Sequence, residues 1–270
     1  MKKYSQIMSN KEKVEEQYKD GSNLSDRISI HEKYSSNKQG LANWLFSQYD
    51  FPLGGKVLEL GSGTGDLWRN KFEGISEGIE VYLSDFSEGM VSELSQKYKS
   101  VSFVSSQKID VQEIPFENNF FDIIIANFML YHVPDIGKAL EEVFRVLKPN
   151  GVFYVATVGD NHLIEINQWV KEFDDNLDVF NSASLAFTLQ NGRDILEKYF
   201  SKVSMYEYFD HLEVDNKQEL IKYISTFKDM ADLSHATIDG LSTFLDKKKS
   251  SEGLFHITKQ SGTFVCQKVI

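Results

Sequence analysis

Short apolar runs separated by turn residues fill the middle of the chain. Val57, Leu58 and Leu60 make the first, closed by Gly54-Gly55 before it and Gly61-Ser62-Gly63-Thr64-Gly65 after it. A short apolar run with turn signals at both ends predicts a buried strand of a parallel sheet. Glu80–Asp85 predicts a second strand, Val101–Val104 a third, Phe121–Ala126 a fourth and Val152–Val158 a fifth. Helical stripes lie between them. Met90, Val91, Leu94 and Tyr98 line one face of a helix with Ser87 as its N-cap. Ile136, Leu140, Val143 and Leu147 fall at i, i+4, i+7 and i+11 of another, capped by Asp135 and stopped by Lys148-Pro149-Asn150-Gly151. Residues 106–120, with Asp110, Pro115 and Asn118-Asn119, are too broken for a helix and predict a loop. Strand alternating with helix or loop over residues 56–158 predicts an α/β fold with a doubly wound parallel sheet.

The flanks are less patterned. Asn23–Ser36 predicts a helical turn or loop, and Leu41, Trp44 and Leu45 a short helix reaching about Gln48. Only a short helix fits between Leu67 and Phe72. Residues 160–200 predict mostly helix, with Asp174, Asp175 and Asp178 on a solvated face. Val203–Leu212 predicts a strand and residues 216–250 two helices. The end predicts a hairpin, Leu254–Thr258 and Thr263–Val269 around a turn at Lys259-Gln260-Ser261-Gly262.

Composition narrows the function classes. The 270 residues are 41% hydrophobic and 26% charged, ordinary for a globular chain. A net charge of −11 argues against a nucleic-acid partner, because phosphate binding needs basic surface. The one basic cluster, Lys247-Lys248-Lys249, reads as a solvated face. A single cysteine, Cys266, leaves no internal disulfide and no multi-cysteine metal site, which points to a reducing, cytoplasmic setting. The opening MKKYSQIMSN leads into no apolar segment, and the longest apolar run, near Ile123–Tyr131, is far shorter than a membrane span.

The chemistry gathers at the glycine turn. Glycines at alternate positions allow positive φ and a close backbone approach to a ligand, and strand–glycine turn–helix is the layout of a nucleotide-cofactor site. A dinucleotide fingerprint would place its third glycine at position 66, which is Asp66; here the third is Gly65. Glu59 stands two residues before Gly61. The stretch resembles motif I, E-x-G-x-G-x-G, of the class I S-adenosylmethionine (SAM)-dependent methyltransferases. Further motifs extend the resemblance well over residues 56–158 and loosely beyond. Asp85, followed by Phe86 and Ser87, is similar to the motif II acid that binds the ribose hydroxyls, with Phe86 as an adenine-packing residue and Met90 supporting that pocket. Asp110-Val111 in QKIDVQEIPF resembles the D-x-x-x-L-P-F pattern near the adenine amine, with Ile114 where leucine is common. Phe121-Asp122 through Asn127, Phe128 and His132 resembles motif IV, where Asn127 faces the methionine moiety. LEEVFRVLKPNG, Leu140–Gly151, resembles the stretch before motif V of small-molecule methyltransferases.

The resemblance implies a Rossmann-like sheet of seven strands with an antiparallel carboxy-terminal strand. It also implies helical additions: an amino-terminal lid over residues 1–50, then a cofactor-binding domain over 51–270 with insertions near 160–200 and 215–250. From the lid, Tyr34 is a candidate cofactor contact. The implied cofactor-binding set is Tyr34, Glu59, Gly61, Ser62, Gly63, Thr64, Gly65, Asp85, Phe86, Ser87, Met90, Asp110, Val111, Asn127, Phe128 and His132. Charge supports SAM. Its sulfonium and ammonium outweigh its carboxylate, and its ribose and adenine offer donors that acceptor-only carboxylates at Glu59, Asp85 and Asp110 match. A doubly negative dinucleotide suits such a row less well.

Methyl transfer asks for alignment and exclusion of water more than for covalent help, so no catalytic residue is singled out. His132 is a candidate base or a packing residue of its loop. His162, His211 and His256 have no metal spacing, and no metal is expected. The expected partner is a small molecule, acting on a monomer or homodimer. An NAD(P)-dependent oxidoreductase, a catalytically silent SAM-binding module and a macromolecular methyltransferase remain as alternatives.

Overall fold

The computed structural model describes residues 9–17, 22–75, 77–177, 179–227 and 234–269. Seven strands form one sheet: β1 Lys56–Leu60, β2 Glu80–Asp85, β3 Val104–Lys108, β4 Phe121–Asn127, β5 Leu147–Val158, β6 Lys202–Val214 and β7 Phe255–Gln267. Their order is β3-β2-β1-β4-β5-β7-β6. The first five pair in parallel, and β7 runs antiparallel to both β5 and β6. The helices are α1 Lys11–Gln17, α2 Ser22–Tyr34, α3 Leu41–Phe46, α4 Glu88–Lys97, α5 Ile136–Val146, α6 Ile164–Phe173, α7 Gly192–Leu196, α8 Lys217–Ser225 and α9 His235–Leu245.

The order reverses at β1, so β1 and β4 leave a crevice between their carboxyl ends, where ligands of open α/β sheets bind. The strands alternate their side chains between two apolar layers. Leu58, Leu60, Ile124, Phe153 and Phe264 pack on one side with Leu140 and Val143 of α5. Val57, Val81, Ile123 and Tyr154 pack on the other with Leu45 of α3 and Leu94 of α4. The expected caps form: Ser87 Oγ accepts from Met90 N at 3.4 Å, and Asp135 Oδ1 from Lys138 N at 3.0 Å.

Five sequence expectations change. The fifth strand, expected at Val152–Val158, begins at Leu147 and takes in the Lys148-Pro149-Asn150-Gly151 turn, with a register shift against β4 between Phe121 and Ile123. The third strand begins at Val104, where residues 101–104 were expected to form it. Val101 instead closes a turn, accepting from Val104 N, and the partly polar run SSQK pairs with β2 as a short edge strand. Asn23–Ser36, expected as a helical turn or loop, lies mostly in the thirteen-residue helix α2. Residues 160–200 hold less helix than expected: among the described residues, α6, α7 and a single turn at Ser182–Ser184. Asp178, placed on a solvated face, lies outside the described residues, as do residues 1–8.

The largest correction is at the carboxyl end. No hairpin turn forms at Lys259–Gly262; β7 runs through it unbroken, paired residue by residue with β6 from Val214↔Phe255 to Lys202↔Gln267. The turn-like composition has a tertiary explanation. The Lys259 ammonium is buried against the Asp210 carboxylate and Ser35 Oγ, and burial alone would push that ammonium's pKa down. A Cβ on Gly262 would lie 2.5 Å from the Tyr206 carbonyl oxygen of β6. Only the Ser261–Gln267 half of β7 pairs with β5. The other half extends with β6 beyond the carboxyl end of β5 as a two-stranded arm. Leu212, Val214, Phe255 and Ile257 of that arm form a second core with Ile30 and Tyr34 of α2, Val170 of α6, Leu220 of α8 and Leu241 of α9. No described helix is long and apolar enough to cross a membrane.

Candidate active site

β1 delivers the chain into its turn at the sheet's switch point. Gly61, Gly63 and Gly65 all have positive φ, at 68°, 54° and 72°. Two of them are also packed without room for a side chain. A Cβ on Gly61 would lie 2.9 Å from Met129 Cβ, and one on Gly65 2.6 Å from Leu94 Cδ2. Backbone bonds fix the turn: Ser62 N donates to Ser84 O at 2.8 Å and Gly65 N to Ser62 O at 2.9 Å. Tyr98 Oη donates to Gly65 O at 2.6 Å from α4. Thr64 is spent on local structure, its Oγ1 donating to Asp66 Oδ2 at 2.7 Å and its carbonyl accepting from Lys97 Nζ at 2.8 Å.

Asp85, at the end of β2, joins this turn to α4. Its Oδ2 accepts from Gly63 N and its Oδ1 from Ser87 N, each at 2.9 Å. Burial raises its pKa; the Ser87, Gly63 and Phe86 backbone donors act in the opposite direction. Each oxygen keeps a further acceptor site for a ligand hydroxyl. Beyond β3, Asp110 Oδ1 accepts from Gln112 N at 3.0 Å, and its Oδ2 from Lys11 Nζ of α1 at 2.5 Å. Burial works to raise the Asp110 pKa, but the Lys11 and Gln112 donors outweigh it and hold it below the usual carboxylate value. The Lys11 and Lys108 ammonium groups each lie 5.5 Å from the Phe86 ring centre. Met90 and Val111 turn inward and are buried, so they can only support this end from below.

Glu59 lies beneath the turn, 2% exposed, with Oε2 accepting from Trp68 Nε1 at 2.8 Å. Burial pushes its carboxyl up to about 7, against the pull of the Trp68, Ser62 and Asn127 donors. Asn127 ends β4 and donates from Nδ2 to Tyr49 Oη at 2.9 Å. Tyr154 Oη, from β5, accepts from Asp50 N at 3.1 Å. Phe128 follows Asn127 at φ 54°, a left-handed conformation costly for a residue with a Cβ. Its N–H donates to Ala156 O at 2.9 Å, which bends the chain away from β4. His132 closes the following turn, its ring centre 4.6 Å from that of Tyr131.

The structure therefore gathers Glu59, the glycine turn, Asp85, Ser87 and Asn127 around the carboxyl ends of β1, β2 and β4, with Phe86 and Asp110 at the β2–β3 end. Tyr34 is not brought there. It packs in the second core with Leu212, Val214 and Tyr223, because α2 docks on the arm. Sequence reasoning missed Tyr49, Trp68 and Tyr154. Tyr49 does continue the Leu41, Leu45 spacing by one more turn, a legible signal. Trp68 and Tyr154 show no local sign of their polar partners.

The residues present fit SAM. Positive-φ glycines leave a Cβ-free backbone, two carboxylates offer acceptors to hydroxyl and amine donors, and a buried carboxyl that titrates near neutrality favours a neighbouring cation. The parallel sheet closed by an antiparallel β7 is the Rossmann-like architecture of class I SAM-dependent methyltransferases. Comparison with known proteins gives the same class. Residues 58–155 match the family described as methyltransferase domain. Over 99 residues the chain is 38% identical to the ubiquinone/menaquinone biosynthesis C-methyltransferase UbiE of Proteus mirabilis, covering 36% of this chain and 39% of that protein. The chain thus spans about two fifths of the length of the curated relatives it matches. Among solved structures, the [4+2]-cyclase SpnF aligns with a TM-score of 0.61 at 16% identity, over 97% of this chain and 98% of that one. Haemonchus contortus phospholethanolamine N-methyltransferase 2, bound to phosphomonomethylethanolamine and S-adenosylhomocysteine, aligns with a TM-score of 0.57 at 18% identity, over 94% of this chain and 59% of that one. At these identities the structural neighbours establish the fold, and one of them is named for a cyclisation. The family match identifies a methyltransferase domain over residues 58–155, the curated relatives align over a comparable length, and the structural neighbours share the fold.

Proposed function

We propose that this protein transfers the methyl group of SAM to a small-molecule acceptor. The observation that carries the reading is the Asp85 carboxylate, held by Gly63 N and Ser87 N at the end of β2 beside a turn that carries no Cβ at positions 61, 63 and 65. Asp85 accepts from the ribose hydroxyls. Asp110 accepts from the adenine amine once Lys11 yields or shares its oxygen, and Phe86 packs on the adenine ring. Asn127 and the Gly61–Gly65 backbone meet the methionine end, with Glu59 below as the counter-charge. Residues 1–50 serve as the lid, and His132 and Phe128 border the reacting end.

When bound, SAM supplies an activated methyl whose leaving group is a neutral thioether. The chain's part is to hold that methyl in line with the acceptor and keep water out. A base is required only for an acceptor protonated at neutral pH. The net charge of −11 favours a small-molecule acceptor over nucleic acid, and the lone buried Cys266 fits a cytoplasmic monomer or homodimer.

Calorimetric titration with SAM and with NAD tests the cofactor. Binding of SAM without NAD is the expected result; NAD binding without SAM would refute the reading in favour of an oxidoreductase. Formation of S-adenosylhomocysteine with a panel of small metabolites tests transfer. SAM binding with no turnover on any of them would favour a silent module.

A further inference from the structure

Beyond the carboxyl end of β5 the chain forms a half-open pocket of about 300 Å³ between α6 and the segment leading to Leu185, lined by Asn161, His162, Asn167, Phe180 and Asn181 among others. Two features tie it to the reacting end of the proposed cofactor site. Phe180 packs against Val158 and Leu185, the pair that Phe128 and Tyr131, which follow Asn127, also pack against. And β5 lies directly beside β4, with Asn127 paired to Ala156.

One of its buried polar atoms has no partner. Asn167 Oδ1 is buried and accepts no hydrogen bond, a state uncommon in a folded protein and costly unless a ligand or water supplies a donor. His162 is buried, and its Nδ1 accepts from Gln260 N at 3.1 Å. That bond fixes the neutral tautomer with hydrogen on Nε2, a donor. Burial, with the Lys259 charge adding, lowers the His162 pKa to about 3, so it stays a neutral donor at working pH. His31 of α2 stacks beside it, ring centres 6.1 Å apart, and its buried Nδ1 also has no partner. Ser261 Oγ, which lines an adjacent cavity sharing Asn161, is a further buried atom without one.

We infer that this cavity is the subsite for the methyl acceptor and takes a compact polar molecule presenting both an N–H or O–H donor, to Asn167 Oδ1, and an acceptor, to His162 Nε2–H. Phe180 supplies a face for a flat or apolar part of the same molecule. The matched methyltransferase-domain region ends at residue 155, before the residues that line the cavity. The inference rests on the methyltransferase reading for its function, but its geometry can be tested separately.

The probes are benzamide and acetophenone, which have the same shape but differ in the amide N–H₂. They are titrated into SAM-loaded protein and followed by calorimetry and by nuclear magnetic resonance of the Asn167 side-chain amide. Wild type should bind benzamide about tenfold more tightly than acetophenone, since only benzamide satisfies the buried oxygen. Asn167→Leu should abolish that preference and leave SAM affinity unchanged. Should the leucine variant fold poorly, Asn167→Ser, which restores a small acceptor, should keep part of the preference. Equal binding of the two probes to wild type, no binding of either, or a preference that survives Asn167→Leu overturns the inference. Each of those outcomes leaves SAM binding intact, whereas loss of SAM binding in wild type refutes the methyltransferase reading itself.

Discussion

Replacing Glu59 with glutamine should stabilise the cofactor-free protein at alkaline pH and do little at acid pH. The carboxyl is fully enclosed, and burial raises its pKa from 4.5 to about 7. A raised acid pKa means the folded state holds the proton more tightly than the unfolded chain does. That stabilisation is present below about 4.5 and is lost as pH rises through 7. One pKa unit is equivalent to about 1.4 kcal/mol, so the ionised folded state carries a penalty of roughly 3 kcal/mol above pH 8. At pH 5 less than about 1 kcal/mol of it has developed. Glutamine keeps an acceptor for Trp68 Nε1, which donates to the carboxylate at 2.8 Å alongside the Ser62 and Asn127 donors. Urea denaturation of wild type and Glu59→Gln at pH 5 and pH 8 measures the effect. The difference between the two proteins should grow in the variant's favour by about 2–3 kcal/mol between those pH values. A pH-independent difference would show that the carboxyl is not held near neutrality by its burial.

Other outcomes follow from the same geometry. Asp85→Ala should weaken SAM binding by at least tenfold in calorimetry, and also cost about 1–3 kcal/mol of stability because Gly63 N and Ser87 N lose their acceptor; unchanged affinity would show the ribose lies elsewhere. Gly65→Ala sets a Cβ 2.6 Å from Leu94 Cδ2 at a φ of 72°, so a loss of at least about 1–2 kcal/mol in thermal or chemical denaturation is expected, with SAM binding reduced as the turn shifts. Because a cation favours ionised Glu59, SAM affinity should rise from pH 6 to pH 8 in wild type but stay flat in Glu59→Gln; parallel pH profiles would separate Glu59 from the cofactor. Arg145 donates to Ile114 O at 2.8 Å and Phe116 O at 2.7 Å, tying the loop after Asp110 to α5. Arg145→Met should therefore raise hydrogen exchange across residues 110–118, and unaltered protection there would refute that role.

Most of the sheet and the glycine turn at its switch point were legible in the chain itself. The buried strands β1, β4 and β5 are short apolar runs, β2 and α5 carry their patterns and caps locally, and the glycine turn with Glu59 and Asp85 sits at fixed short spacing. These features depend on neighbours a few residues away, and the sequence records such neighbours directly. Tertiary structure decided what depends on distant partners. Lys259 and Gly262 have turn-like composition, yet they continue β7 because Asp210 and the β6 backbone, about 50 residues earlier, neutralise the charge and fill the space. Tyr34 followed α2 onto the arm and away from the glycine turn for the same reason. The neutrality-poised Glu59 and the orphaned Asn167 oxygen arise from burial, and burial is a property of the assembled layers that no local pattern of residues contains.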